Sequence, residues 1–154
     1  MVETQRMDIT RSAPEIYRHL REIEQVIARK IDPKLYHLIK LRASQINGCA
    51  YCLGMHTDEA LRDGETPERL MLLDAWHESS KFSEKERAAL EWVEALTLIT
   101  EGHVPDAVYQ QARKHFSEKE LVDLTVAAVA INSWNRLAIA VRATPQLQVA
   151  KAAA

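Results

Sequence analysis

Turn-forming residues are scarce in this chain, with 4 glycines and 5 prolines among 154 residues, about half of ordinary usage. A sandwich or barrel must turn often, so this shortage excludes strand-rich folds. Cysteine is nearly absent as well, at 2 residues, which excludes a disulfide-stapled scaffold. Neither sign of charge dominates, since 20 Lys and Arg stand against 22 Asp and Glu. No basic block or stripe breaks that balance, so neither nucleic acid nor a membrane surface is an expected partner. No uninterrupted apolar run approaches the roughly 18 residues of a membrane span. The opening residues, Met1 to Asp8, carry acids and lack an apolar stretch, so they do not read as a secretory signal and a cytoplasmic location is expected.

Helix formers, by contrast, are plentiful. Ala, Leu, Glu, Arg, Lys, Gln and Met make up about 54% of the chain. The length suits one domain with a sizeable core. The expectation is an all-α domain of six to seven helices over residues 13–145, with an N-terminal extension over 1–12 and a frayed tail over 146–154. Pro14 opens the first helix, whose stripe is Ile16, Leu20, Ile23, Ile27 and Ile31. Asp32-Pro33 opens a second that runs to about Ile46, and Asn47-Gly48 breaks it. A third is expected from Cys49 to about Asp63, and a fourth from Glu68 to about His77. Capping boxes at Ser83/Glu86 and Ser117/Glu120 open two more, the first reaching about Thr100. Between them a short helix covers Asp106 to about His115. The last helix contains Leu121 to Val141, apolar around so much of its circumference that it is either the central helix or partly faces another subunit.

The chemistry concentrates in Cys49, Cys52 and His56. At about 100° per residue the three fall within an arc of about 60° on one helix face. The cysteines are close enough for a disulfide, and His56 stands one turn beyond the second thiol. They also open their helix, where free N–H groups favour a thiolate. That placement suggests Cys52 as the attacking thiolate and Cys49 as the resolving thiol. A peroxide would convert Cys52 to a sulfenic acid, which Cys49 condenses into a disulfide that an external dithiol then reduces. No strand precedes Cys49, so a thioredoxin fold is not expected. A zinc site is the alternative, with His37 as fourth ligand beside Cys49, Cys52 and His56. Asn132 and Asn135 either satisfy buried backbone groups or orient their helix beside the cysteines, and Arg42 and Arg136 read as ion-pair partners.

The segment Gln45-Ile46-Asn47-Gly48-Cys49-Ala50-Tyr51-Cys52-Leu53-Gly54-Met55-His56 resembles the signature of the AhpD-like alkylhydroperoxidases of the carboxymuconolactone decarboxylase superfamily. Lys40 to Ser44 and Ile131 to Arg136 resemble that family too. The resemblance implies an all-α fold assembling as trimers or hexamers. It implies peroxide reduction with Cys52 peroxidatic, Cys49 resolving and His56 a proton relay. No bound cofactor is implied; the reductant is an external dithiol, in some members a lipoyl group on a partner protein. Relatives often carry a relay glutamate twelve residues before the first cysteine, and here that position is His37, the fourth candidate. Other readings of the same residues are a redox sensor or disulfide-exchange module, a decarboxylase-like lyase, and a zinc-stabilised interaction domain.

Overall fold

Local sequence signals fix most of the helix boundaries. In the computed structural model, which describes residues 4–144, Asp8 caps a short helix α1 (Ile9–Ser12) inside the segment expected to be an extension. Pro14 opens α2 (Pro14–Ala28), and Asp32 with Pro33 opens α3 (Pro33–Asn47). Next come α4 (Ala50–Arg62), α5 (Pro67–Leu72) and a 3-10 turn, η1 (Leu73–Glu78). The chain then forms α6 (Glu84–Thr97), α7 (Asp106–His115) and α8 (Glu118–Val141). Both expected capping boxes are formed, each satisfying donors that a helix start leaves free. No strand occurs among the described residues. The tail expected to fray lies outside them.

Three boundaries differ from the sequence reading. The stripe of α2 stops at Ala28, and Ile31 is buried from the loop instead. The fourth helix divides after Leu72, and its last part is η1, which is itself kinked at Ala75. Cys49 is the N-cap of α4, with extended backbone, and not its first helical residue.

The centre of the domain is α3, which packs on α4, α6 and α8. Seven consecutive residues, Leu35 to Leu41, are buried, so α3 has no solvent face there and its polar residues are carried inside. One apolar core joins α2, α3, α6, α7 and α8 around Ile39, Val93, Leu124 and Ile131. A smaller one, with Leu38, Leu73, Trp76 and Leu90, fills the space under α4, η1 and α6. Leu38 and Ile39 are fully enclosed, and cutting either to alanine should cost about 2–5 kcal/mol.

The last helix divides its faces. By length and composition α8 would suffice to cross a membrane, because its charges are confined to the ends and Arg136 although no long uninterrupted apolar run exists. Leu121, Leu124, Ala127, Ala128 and Ile131 are nevertheless buried within the domain, while Val122, Val126, Val129 and Ile139 are exposed. Central position belongs to α3, and α8 presents a second apolar face outward.

Candidate active site

The turn between α3 and α4 builds the thiol site. Gly48 ends α3 in the left-handed region at φ 65° and ψ 32°, a conformation that costs glycine least. The chain thus reverses within one residue and places Cys49 at the head of α4. There the Cys49 sulfur accepts from the Cys52 backbone N–H at 3.4 Å, taking the position that a serine or aspartate side chain occupies at an ordinary N-cap. Both cysteines are free and only 1% exposed.

The two thiols are unequal. Cys49 is held down to about 7, first by a hydrogen bond from the Cys52 thiol and further by the Cys52 and Tyr51 backbone and the Asn135 side chain, against the penalty of burial. Cys52 is pushed up, because its proton is engaged with Cys49 and because it is buried. The pair therefore gives up its first proton more easily than its second, and the Cys52 N–H at the Cys49 sulfur favours that negative charge on Cys49. Ionised backbone-capping sulfur is favoured at this place by the free N–H groups of the first turn.

Uncharged side chains from α3 and α8 enclose the thiols. Asn135 is fully buried and donates to Ser44 Oγ at 3.0 Å, while Asn47 Nδ2 donates to both Asn135 Oδ1 at 2.9 Å and Asn132 Oδ1 at 3.0 Å. Ser44 in turn donates to the Lys40 carbonyl at 2.7 Å. Asn132 and Asn135 thus orient α8 against the thiol turn, one of the two roles that their sequence allowed. Arg136 bonds to the Asn132 carbonyl and side chain, and Arg42 pairs with Glu94 and Asp74. Trp134 packs edge-on against Tyr17 of α2.

His56 follows Cys52 by one turn of α4 and is 4% exposed. Its Nδ1 meets Glu59 Oε2 at 2.8 Å. Glu59 is held down to about 2; burial opposes ionisation, but the His56 hydrogen bond and the Lys40 charge outweigh it. An ionised carboxylate only accepts, so Nδ1 carries the proton and Nε2 is left as the acceptor. Burial, reinforced by Lys40 and opposed by Glu59, lowers the His56 pKa and keeps the ring neutral near pH 7. Sequence reasoning missed Glu59, although its i,i+3 spacing from His56 was readable. The Lys40 ammonium lies 3.3 Å from Glu59 Oε2, and nothing in the sequence marks a lysine as buried.

His37 is not brought to the thiols. It pairs through Nε2 with Asp63 Oδ2 at 2.7 Å, and Asp63 is the C-cap of α4. Eleven residues of helix separate Asp63 from Cys52, about 16 Å along the axis. The cause is the antiparallel run of α3 against α4, which sends residues early in α3 to the end of α4. The zinc alternative consequently loses its fourth ligand. A cleft of about 410 Å³, lined by Lys30, Leu35, Lys85, Phe116 and Leu124 among others, also contains none of the four candidate residues.

Residues 14–95 match the model of the carboxymuconolactone decarboxylase family. The uncharacterized protein YdfG of Bacillus subtilis is 42% identical over 89% of this chain and 94% of its own length. A crystal structure of a protein of unknown function from Agrobacterium tumefaciens, proposed to be the antioxidant defence protein AhpD, superposes with a TM-score of 0.91 at 39% identity, over 94% of this chain and 100% of that one. The alkylhydroperoxidase AhpD core of a peroxidase-related protein from Ralstonia eutropha has the same fold at 17% identity, with a TM-score of 0.79 over 89% of this chain and 74% of that one.

Proposed function

The chain belongs to the carboxymuconolactone decarboxylase family and has the AhpD-like all-α fold, and from that premise we propose that it is a thiol-dependent alkyl hydroperoxidase running a dithiol–disulfide cycle at Cys49 and Cys52. The observation that carries this reading is the buried pair itself: two free thiols sharing a proton at a helix N-terminus, with a neutral histidine one turn away. A lyase would use the histidine and has no need of the second thiol.

In the proposed cycle His56 takes the proton of Cys52 as the hydroperoxide approaches. The Cys52 thiolate attacks the distal peroxide oxygen, the O–O bond breaks, and Cys52 becomes a sulfenic acid. The alkoxide leaves as an alcohol with the proton that His56 returns. Cys49, whose thiolate form the Cys52 N–H favours, attacks the Cys52 sulfur and forms the S–S bond, and the expelled hydroxide takes a proton from solvent, the one released when Cys49 ionised, to leave as water. An external dithiol, such as a dihydrolipoyl group on a partner protein, restores both thiols. The low pKa of Cys49 supports its resolving role, since the second step needs no further base. Burial of both sulfurs supports a small hydroperoxide as substrate.

Two further proposals accompany this. The exposed Val122, Val126, Val129 and Ile139 of α8 offer an apolar face to further copies of the chain in a trimer or hexamer, readable from the mass in solution. A cytoplasmic location is consistent with two thiols that function reduced.

The deciding experiment traps the intermediate. Cys49→Ser should leave a sulfenic acid on Cys52 that a dimedone probe captures, and Cys52→Ser should abolish peroxide consumption. A sulfenic acid trapped on Cys49 in an active Cys52→Ser protein would overturn the assignment.

A further inference from the structure

A buried base that takes a proton becomes a buried cation, which is costly unless matching negative charge is already in place. Behind His56 lies a chain of side chains from three helices that supplies such charge. Glu59 Oε2 accepts from His56 Nδ1 at 2.8 Å and meets Lys40 Nζ at 3.3 Å. Lys40 lies 3.9 Å from Glu24 Oε1, which accepts from Tyr36 Oη at 2.5 Å. The ammonium also stands 4.3 Å from the centre of the Tyr36 ring. Lys40 is only 5% exposed, and Glu24 Oε2 is a buried oxygen with no hydrogen-bond partner.

The charge count of this cluster is informative. Two carboxylates, Glu24 and Glu59, face one ammonium, Lys40, so the cluster carries one surplus negative charge while His56 is neutral. Protonation of His56 brings it to balance. Lys40 limits the surplus to one charge; two unopposed carboxylates would protonate the ring at rest and remove it as an acceptor. The charged groups that act on His56 are Glu24 from α2, Lys40 from α3 and Glu59 on α4 itself, with Cys52 one helical turn before it in the chain, while α8 brings the uncharged Asn135 toward the thiols.

We infer that Glu59, backed by Lys40 and Glu24, is the positioning group that makes His56 the proton acceptor for Cys52, fixing the Nδ1–H tautomer and balancing the imidazolium when it forms. The inference rests on the peroxidase reading for its purpose but not for its test. With Nδ1 engaged by Glu59, Nε2 is the ring nitrogen left to accept a proton from Cys52, which precedes His56 by one helical turn.

The test follows the His56 ring by nitrogen-resolved NMR in the reduced full chain, with its signals identified by their loss in His56→Gln. The wild type should carry the proton on Nδ1. Glu59→Gln keeps an acceptor for Nδ1–H but removes its charge, and should lower the His56 pKa by roughly one unit. Lys40→Met should raise it by roughly one unit, and Lys40→Arg should restore the wild-type value. A wild-type Nε2–H tautomer, or variants that leave the pKa unmoved or move it in one common direction, would sink the inference. The Glu59→Gln arm, nearly isosteric, decides alone if Lys40→Met does not fold. Peroxide consumption on the same samples separates the two ideas. Expected shifts in a protein without peroxidase activity remove the function and keep the positioning, and unmoved shifts in an active protein remove the positioning alone.

Discussion

Two polar clusters are buried against α4, and they are made of different chemistry. At its N-terminal end Ser44, Asn47, Asn132 and Asn135 enclose the thiols with hydroxyl and amide groups that do not titrate. One to two turns further along, Glu24, Lys40, His56 and Glu59 form a cluster in which every member is ionisable. The first holds its geometry at any pH and favours a sulfur anion by donating to it. The second changes its charge when a proton arrives. A thiol peroxidase needs both, since the thiolate must be held still while the proton travels. The difference also explains their energetics, because an amide network loses only hydrogen bonds when broken whereas a charged one is left with an uncompensated buried ion.

The sharpest way to break the comparison is to remove one member from each side. Lys40→Met leaves Glu24 and Glu59 without their cation. Since Glu59 is partly exposed, the loss of folding stability should be about 2–4 kcal/mol, slightly under that for a wholly buried pair. Asn135→Leu keeps the volume but removes one of the two acceptors of the Asn47 amide and the donor to Ser44 Oγ, at about 1–3 kcal/mol. The thiolate should respond in the opposite order. Absorbance near 240 nm should show one thiolate per chain forming with an apparent pKa of about 7 in the wild type. Asn135→Leu should move that value upward because a donor to the sulfur is gone, and Lys40→Met should leave it nearly in place. Equal movement in both variants would mean that the clusters act as one.

A smaller effect separates them by pH. Glu59 titrates at about 2 in the folded chain against an ordinary 4.5, so its contribution is complete above about 4.5 and is lost as the pH falls toward 2. His56 acts in the same sense, because its folded pKa is depressed and the unfolded chain takes up the proton first as the pH drops below 6.5. Stability in chemical denaturation should therefore fall from pH 6.5 downward. Discounted for the exposure of Glu59, its share should be about 1–2 kcal/mol. Glu59→Gln should flatten the part of this fall that lies below about pH 4.5, and Asn135→Leu should not.

How legible these clusters were depends on what fixes them. The thiol cluster is local, since Asn47-Gly48-Cys49 sets the turn and a three-four spacing aligns Cys52 and His56, so its core could be read from sequence. The charged cluster is tertiary. Glu59 was within reach as the residue three beyond His56, but Lys40 looks like any surface lysine until α3 is known to be buried on all sides. That burial was hidden because the polar residues His37, Lys40 and Ser44 interrupt the apolar pattern of α3, making it look half-exposed, while α8 with its long apolar stretch looked more central than it is. Helix starts were readable to within a residue or two from caps and prolines; the kink at Ala75 carries no such signal.

His37 provides the smallest expected effect and the most discriminating one. By its place in the sequence it stands where relatives often carry a relay carboxylate; by its place in the fold it belongs to neither cluster. Its partner Asp63 is half-exposed, so breaking the pair with His37→Gln should cost under about 1 kcal/mol. At about 16 Å along α4 the His37–Asp63 pair also lies beyond the screening length at physiological salt, about 8 Å. The thiolate titration and the His56 pKa should therefore both stay at their wild-type values in His37→Gln. Movement of either would mean that protons reach the thiols from the far end of α4, through a path that joins His37 to the Lys40 cluster. The unpaired, buried Nδ1 of His37 is the atom from which such a path would have to start.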